Sequence, residues 1–281
     1  MRKPSLIGLF IAVLFFFVGC SEQVIKQSFT VGTKNATLET KSVPKQLFNQ
    51  TFDLHTFSQT PTEWGEFVEG VKTRFQTDRK EIALTFDLCG GMYGSGYDEA
   101  LITYLIDEQI PATLFVNERW IHANEELFLQ LAQKPLFQIE NHGTEHKPLS
   151  VNGGEAWRIP ATNSPDEVYD EIIKNHNTVK ALTGRDMTLF RSGTAFYDEV
   201  AVSLANALDY EVVNFDVLGD AGATFSKEQV KKALLSAQPG SIVLLHMNQP
   251  NSGTAEGVKL AVPLLRDQGF EFVLLENKVL E

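Results

Sequence analysis

Residues that can move protons or hold cations stand in this chain where β-like runs end. Asp87 follows the run from Ile82, Asn117 follows Ala112–Val116, and His142 and His146 come just after Leu136–Glu140. Arg191 closes Thr188–Arg191, Asp216 or Asp220 follows the run from Glu211, and His246 ends Ser241–His246. Each has an ordinary reading: Asp87 caps a turn, His142-Gly-Thr-Glu-His146 is a solvated loop, Arg191 is a rim ion pair, and His246 is a satisfied core imidazole. Three of the six histidines falling at strand ends, beside an Asp and an Arg, make those readings jointly a poor account. Two neutral imidazoles can hold Zn²⁺ or a similar cation, with a carboxylate or water completing the shell. Such a cation polarises a carbonyl and acidifies water. A carboxylate then serves as general base, a separate histidine protonates the leaving group, and an arginine beside the base keeps it ionised. The inventory is that of metal-assisted hydrolysis.

These residues need a scaffold that brings strand ends together. Ile82, Leu84 and Phe86 alternate with smaller residues before a loop carrying Gly90, Gly91, Gly94 and Gly96. Asp98 is placed to cap a helix over Asp98–Asp107 with Leu101, Ile102 and Leu105 on one face. Ser164-Pro165-Asp166-Glu167 reads as an N-cap, a first-turn proline and a capping-box glutamate, and that helix stops at Gly184. Ser226 and Gln229 form a second capping box, and Gly269 ends the last helix. Glu271–Leu275 supplies a seventh strand. Seven strands alternating with helices predict an α/β fold, a parallel sheet closed or nearly closed into a barrel, with its site at the C-terminal strand ends. The insert from His142 to Pro160 is the one irregular connection.

The formal charge of −12 argues against nucleic acid and against attraction to anionic lipid. Residues 1–19 lie outside the fold: Arg2 and Lys3 precede an apolar run from Leu6 to Val18, and Gly19 stands before Cys20. This resembles a bacterial lipoprotein signal, in which Cys20 is lipidated and becomes the mature N-terminus; an ordinary cleaved secretory signal is the alternative. Either implies export, and the lipid would tether the chain to a membrane facing the cell envelope. Residues 20–60 are polar and aperiodic and read as a tether, with a short strand near Ser28–Val31. The catalytic domain is expected over 61–281. Cys89 would then be the one thiol left, so no internal disulfide forms.

Taken together the residues resemble the polysaccharide deacetylase family, the NodB-like carbohydrate esterases of family 4, over roughly Glu81 to Leu275. Thr85-Phe-Asp87 is similar to the first family motif, whose leading Asp is the catalytic base. Asn141 to His146 is similar to the second, whose two histidines bind the metal. Arg191 matches the arginine that orients the base, and Val243-Leu-Leu-His246 the motif whose histidine is the general acid. The resemblance implies a distorted seven-stranded β/α barrel and removal of N-acetyl groups from a glycan such as peptidoglycan or another GlcNAc polymer. It also implies a divalent metal, zinc first, with cobalt, manganese or nickel as alternatives.

The departures are specific. A second Asp, the third metal ligand, usually follows the base; here Leu88 stands there, leaving water, Asp98 or Cys89 to take its place. Ser192-Gly-Thr-Ala follows Arg191 where a proline and an aromatic are usual, with Phe196 and Tyr197 coming later. The fourth motif's Trp is missing; Asp220 is the first choice for its carboxylate and Asp216 the second. Two rival functions follow: an exported carbohydrate-binding lipoprotein that kept the barrel and lost turnover, and a hydrolase of some other amide. The set Asp87, Arg191 and His246 favours an enzyme, since a binding module has no use for base, orienting arginine and acid together.

Overall fold

Strand β1 (Glu81–Leu88) is buried along its whole length. Side chains alternate across a strand. Ile82, Leu84, Phe86 and Leu88 accordingly enter the apolar layer beneath the helices, while Ala83 joins the inner cluster with Phe115, Val213, Phe215, Ile242 and Leu244. Thr85 and Asp87 share Ala83's parity and face the barrel interior. The computed structural model describes residues 45–47 and 50–281. The signal segment, Cys20 and the strand expected near Ser28–Val31 lie outside the described residues.

The sheet continues through β2 (Ala112–Val116), β3 (Phe137–Asn141), β4 (Leu189–Phe190), β5 (Glu211–Val212), β6 (Val217–Leu218), β7 (Ile242–His246) and β8 (Glu271–Phe272). Its order is β6-β7-β1-β2-β3-β4-β5, with β8 pairing the start of β1. Every pairing within it is parallel. The helices are α1 (Glu99–Asp107), α2 (Glu118–Ala123), α3 (Glu125–Ala132), α4 (Pro165–Thr183), α5 (Glu199–Ala207), α6 (Lys227–Leu234) and α7 (Thr254–Asp267). The result is an α/β fold whose curled parallel sheet has seven strands along its paired path, as in a NodB-like barrel, with β8 added beside β1. No helix among the described residues is long and apolar enough to cross a membrane.

One strand boundary differs from expectation. The run Glu211–Asp216 pairs only at Glu211 and Val212, and Val217–Leu218 forms a separate strand beside β7. Asn214 and Asp216 account for the break. The Asn214 amide nitrogen donates to the Glu66 and Ala195 carbonyls, and Asp216 accepts from the Ile242 N–H and the Ser241 hydroxyl. Side chains that bind neighbouring backbone in this way divert the chain from a ladder. The helix signals fall where the residues place them. Asp98 caps α1, Ser164 caps α4 with Pro165 in the first turn, Gly184 closes α4 in the left-handed conformation, and Ser226 and Gln229 form the reciprocal box. Glu167 departs slightly, accepting from the Asn163 N–H rather than from that of Ser164.

The chain ahead of β1 packs on the barrel too. Leu54 and Phe57, in a short 3-10 turn (Leu54–Phe57), lie against the outer core, and Lys72 and Arg74 bridge to Val213 and Ser241. The insert after β3 folds into a two-stranded ribbon, Glu155–Ala156 with Ile159–Pro160.

Candidate active site

Parallel pairing sets Asp87 and His246 side by side, as register partners at the ends of β1 and β7. Both line a cavity of about 690 Å³, together with Cys89, His146, Arg119 and a wall that includes Trp157, Phe215 and Leu244.

Asp87 is buried and held from one side. Arg191 Nη1 donates to its Oδ1 at 2.8 Å and to Thr85 Oγ1 at 2.9 Å. The guanidinium is fully buried, so Arg191 is no rim residue. Its other donors reach the carbonyls of Val213 (3.0 Å) and Asn214 (2.8 Å), and it lies 4.1 Å over the Phe115 ring. Burial alone would raise the Asp87 pKa; the charges of His142, Arg191 and His246 outweigh it and hold the carboxyl below its usual range.

His246 is oriented by Asp220. Its Nδ1 donates to Asp220 Oδ1 at 2.8 Å, while Asp220 Oδ2 accepts from the His246 backbone N–H (2.7 Å) and the Thr254 hydroxyl (2.9 Å). The Asp220 carboxylate is fully buried. Desolvation would lower the imidazole pKa, but Asp220 and the nearby Cys89 raise it well above the ordinary value. Asp216 is elsewhere, paired with Arg74 and bound to Ser241 and Ile242.

The histidine pair sits across from this couple. His142 Nδ1 lies 2.9 Å from the Arg191 carbonyl oxygen. A carbonyl can only accept, so Nδ1 carries the proton and Nε2 presents its lone pair inward, the arrangement that orients a metal-ligating imidazole. That Nε2 is 3.8 Å from Cys89 Sγ and 3.6 Å from Asp87 Oδ2. Burial lowers the His142 pKa, and the charge of Asp87 and its bond to Cys89 carry it back above normal. His146 packs edge-on against His142, with ring centroids 5.0 Å apart. Its Nε2 is buried with no hydrogen-bond partner. A buried polar atom left unpaired is costly, and a cation between the two rings would satisfy it. Among the described residues, Cys89, His142 and His146 form the group of potential ligands, their donor atoms all within 4.8 Å of one another. The donor set therefore fits a divalent metal. The Cys89 thiol is pushed up by burial, yet the surrounding imidazoles of His146, His142 and His246 bring it well below its usual value.

Asp98 and Leu88 take no part. Asp98 accepts from the Leu101 N–H as the cap of α1, and Leu88 lies in the outer apolar layer. Asn117 supports from beneath, donating its amide to the His142 carbonyl.

Sequence reasoning missed the residues that hold the histidine loop. Glu171 on α4 is buried, and its carboxylate accepts from the backbone N–H groups of Thr144, Glu145 and Lys147 at 2.9–3.1 Å. Desolvation raises its pKa to about 7 against those bonds. Gly143 has φ 78°, and a Cβ there would meet Glu171 Oε1 at 2.4 Å, so the clamp needs glycine. Asn175, one turn on, joins Asn141 Oδ1 to the Val116 carbonyl. A signal was available: Glu171 and Asn175 interrupt the apolar stripe of α4 formed by Val168, Ile172 and Val179.

Phe196 packs against Trp64 and Trp157, with centroids at 5.8 and 6.0 Å, and Trp157 at the ribbon turn is 73 % exposed. Tyr197 is buried; its hydroxyl accepts from the Ser192 N–H and donates to Asn214, bracing the loop after Arg191.

The family model for polysaccharide deacetylases matches residues 74–213. A bifunctional xylanase/deacetylase from Pseudobutyrivibrio xylanivorans is 24 % identical over 201 residues, 71 % of this chain and 30 % of the relative, so the chain spans less than a third of that protein's length. Among solved structures, the family 4 carbohydrate esterase PdaA from Bacillus subtilis superposes with a TM-score of 0.60 at 24 % identity, covering 72 % of this chain and 82 % of that one. A family 4 pseudoenzyme from Bacillus anthracis also gives 0.60, at 21 % identity over 71 % and 65 % of the two chains. The chain belongs to the polysaccharide deacetylase family.

Proposed function

We propose that the protein is a metal-dependent hydrolase that removes N-acetyl groups from a glycan, with peptidoglycan and other GlcNAc polymers as the first substrates to try. Family membership supports glycan deacetylation, and members are generally dependent on a divalent metal. The observation that carries the reading is the pairing of Asp87 with Arg191 beside His246 with Asp220, facing an unsatisfied His146 nitrogen across one cavity.

His142 and His146 would hold the cation, with zinc the first candidate. When bound there it supplies Lewis acidity toward the acyl carbonyl and lowers the pKa of water. Asp87, kept ionised by Arg191, takes the proton from the attacking water. His246, kept protonated by Asp220, delivers a proton to the departing amine, which leaves poorly as an anion. Arg191 contributes twice, its guanidinium fixing the base and its carbonyl fixing the His142 tautomer. The exposed face of Trp157 at the cavity rim offers a sugar ring a surface to stack on. The N-terminal residues add that the domain works outside the cytoplasm, tethered through lipidated Cys20.

The test is acetate release by the full chain from N-acetylglucosamine oligomers and from peptidoglycan, before and after chelation. Release that stops on chelation and returns with zinc, and that is lost with the metal in His142→Ala, is the expected result. A chain that binds one metal and binds the glycan yet releases no acetate is instead the binding protein that kept the barrel.

A further inference from the structure

We propose that Cys89 is the third protein ligand of the metal, so that this chain carries a Cys–His–His cation site in place of one completed by a second carboxylate. The inference rests on reading the cavity as a metal centre and assigns a ligand that reading leaves open.

Three observations converge. The first is parity along β1 and just beyond it. Asp87 faces the interior; Leu88, still paired with Val116, turns into the helical layer; and Cys89 returns to Asp87's side and lines the cavity. The residue after the base is thus denied to the metal, and the next one is delivered to it. The second is distance. A zinc ion bonded to sulfur at about 2.3 Å and to nitrogen at about 2.0–2.1 Å with tetrahedral angles separates the two donors by roughly 3.6 Å. Cys89 Sγ and His142 Nε2 are 3.8 Å apart, close to that separation. The third is the other ring: a His146 ring nitrogen lies within 4.8 Å of the donor atoms of Cys89 and His142, and His146 Nε2 is buried and unpartnered. Asp87 does not belong to that group, which leaves the base free for its own task.

The surroundings fix Cys89 for the role. Arg119 Nη2 donates to the Cys89 carbonyl at 3.2 Å, and the loop behind it is closed by the Gly90 N–H to the Gly94 carbonyl and by Asn248 to the same carbonyl. A thiolate in the set makes the site softer than a carboxylate would, favouring zinc and cobalt over manganese.

Cobalt(II) reads this directly, because a thiolate bonded to cobalt gives a charge-transfer band in the near ultraviolet that nitrogen and oxygen ligands do not. The full chain, loaded with one cobalt, is expected to show that band. Cys89→Ser should lose it and bind cobalt at least roughly 100-fold more weakly, beyond the 10–100-fold that loss of an outer partner costs. Cys89→Asp should regain stoichiometric metal without the band and shift preference toward manganese, which also shows that the variant site is folded. One cobalt per chain with no band, and equal affinity in Cys89→Ser, overturns the assignment of Cys89 while leaving the metal centre standing. A wild-type chain that takes up neither cobalt nor zinc overturns the metal centre and this inference together.

Discussion

Asp220→Asn is the perturbation that most directly probes the acid half of the site. The carboxylate is fully buried and 2.8 Å from His246 Nδ1, so its charge acts on the imidazolium with little screening. Two unit charges about 4 Å apart interact by about 4 kcal/mol at an effective dielectric constant of 20, which sets the scale of the attraction the variant weakens. A charge-assisted hydrogen bond is worth about 1.5–3 kcal/mol net, which corresponds to a rate loss of roughly 10- to 150-fold. The asparagine can offer its oxygen to only one side. Either His246 Nδ1 or the His246 backbone N–H and the Thr254 hydroxyl then face an amide donor, so some stability is lost as well. The sign in pH is fixed. Asp220 raises the His246 pKa, so the acid form persists above the usual imidazole range and the alkaline limb of kcat/KM lies high in the parent. Removing the charge moves that limb toward lower pH. The assay is kcat/KM for acetate release across pH in the parent, in Asp220→Asn and in Thr254→Val, which deletes one donor to the carboxylate without touching its charge. The control should keep the limb in place. An Asp220→Asn enzyme that is slower but has its alkaline limb where the parent's lies would show that His246 is not the group that titrates there.

Two further outcomes follow from burial. Glu171, raised to about 7 from an ordinary 4.5, holds its proton more tightly in the folded chain than in the unfolded one. Its contribution to stability is therefore greatest below pH 4.5 and is lost between 4.5 and about 7, by on the order of 3 kcal/mol. Denaturant unfolding of the parent and of Glu171→Gln over that range should diverge by this amount, and parallel curves would contradict it. Leu88→Asp places a carboxylate in the helical layer beside Phe86 and Leu84 rather than at the metal. It should lower the unfolding free energy by about 3 kcal/mol or more and leave metal affinity unchanged, as read by denaturation and by titration with a chelator as competitor. A gain in affinity would mean that β1 can turn its end inward.

The sheet was legible because its strands carry apolar runs bounded by helix caps, and those caps are local chemistry: Ser164 with Pro165, Ser226 with Gln229, Gly184 in the left-handed region. The site was legible as a set of strand-end residues for the same reason, since parallel β/α order sends every C-terminal strand end to one face. What escaped was set by contacts distant in sequence. Nothing local says that Glu171 reaches back 24 to 27 residues to three backbone N–H groups, or that Thr254 at the start of α7 meets Asp220. The break between β5 and β6 escaped for a related reason. Val212, Val213 and Phe215 read as one apolar strand, and only the tertiary partners of Asn214 and Asp216 divide it.

Arg191 joins the two halves of the site more tightly than its strand-end position announces. Its guanidinium holds Asp87, while its own carbonyl accepts a hydrogen bond from His142 Nδ1–H, so one residue fixes both the charge of the proposed base and the tautomer of a proposed ligand. The guanidinium is itself placed by Thr85 and by the carbonyls of Val213 and Asn214, and Asn214 is placed by the buried Tyr197. Tyr197 is one of the aromatics that come late after the arginine. The hydroxyl also accepts from the Ser192 N–H, bracing the backbone just past Arg191. The altered third motif therefore keeps the support that the arginine needs. The preceding Phe196 packs instead against Trp64 and against Trp157, of which Trp157 lines the cavity. Adjacent residues in this segment therefore have separate partners, Phe196 the ring of Trp157 at the cavity and Tyr197 the loop and Asn214 that place Arg191, so a change at the aromatic cluster need not disturb the Arg191–Asp87 pair.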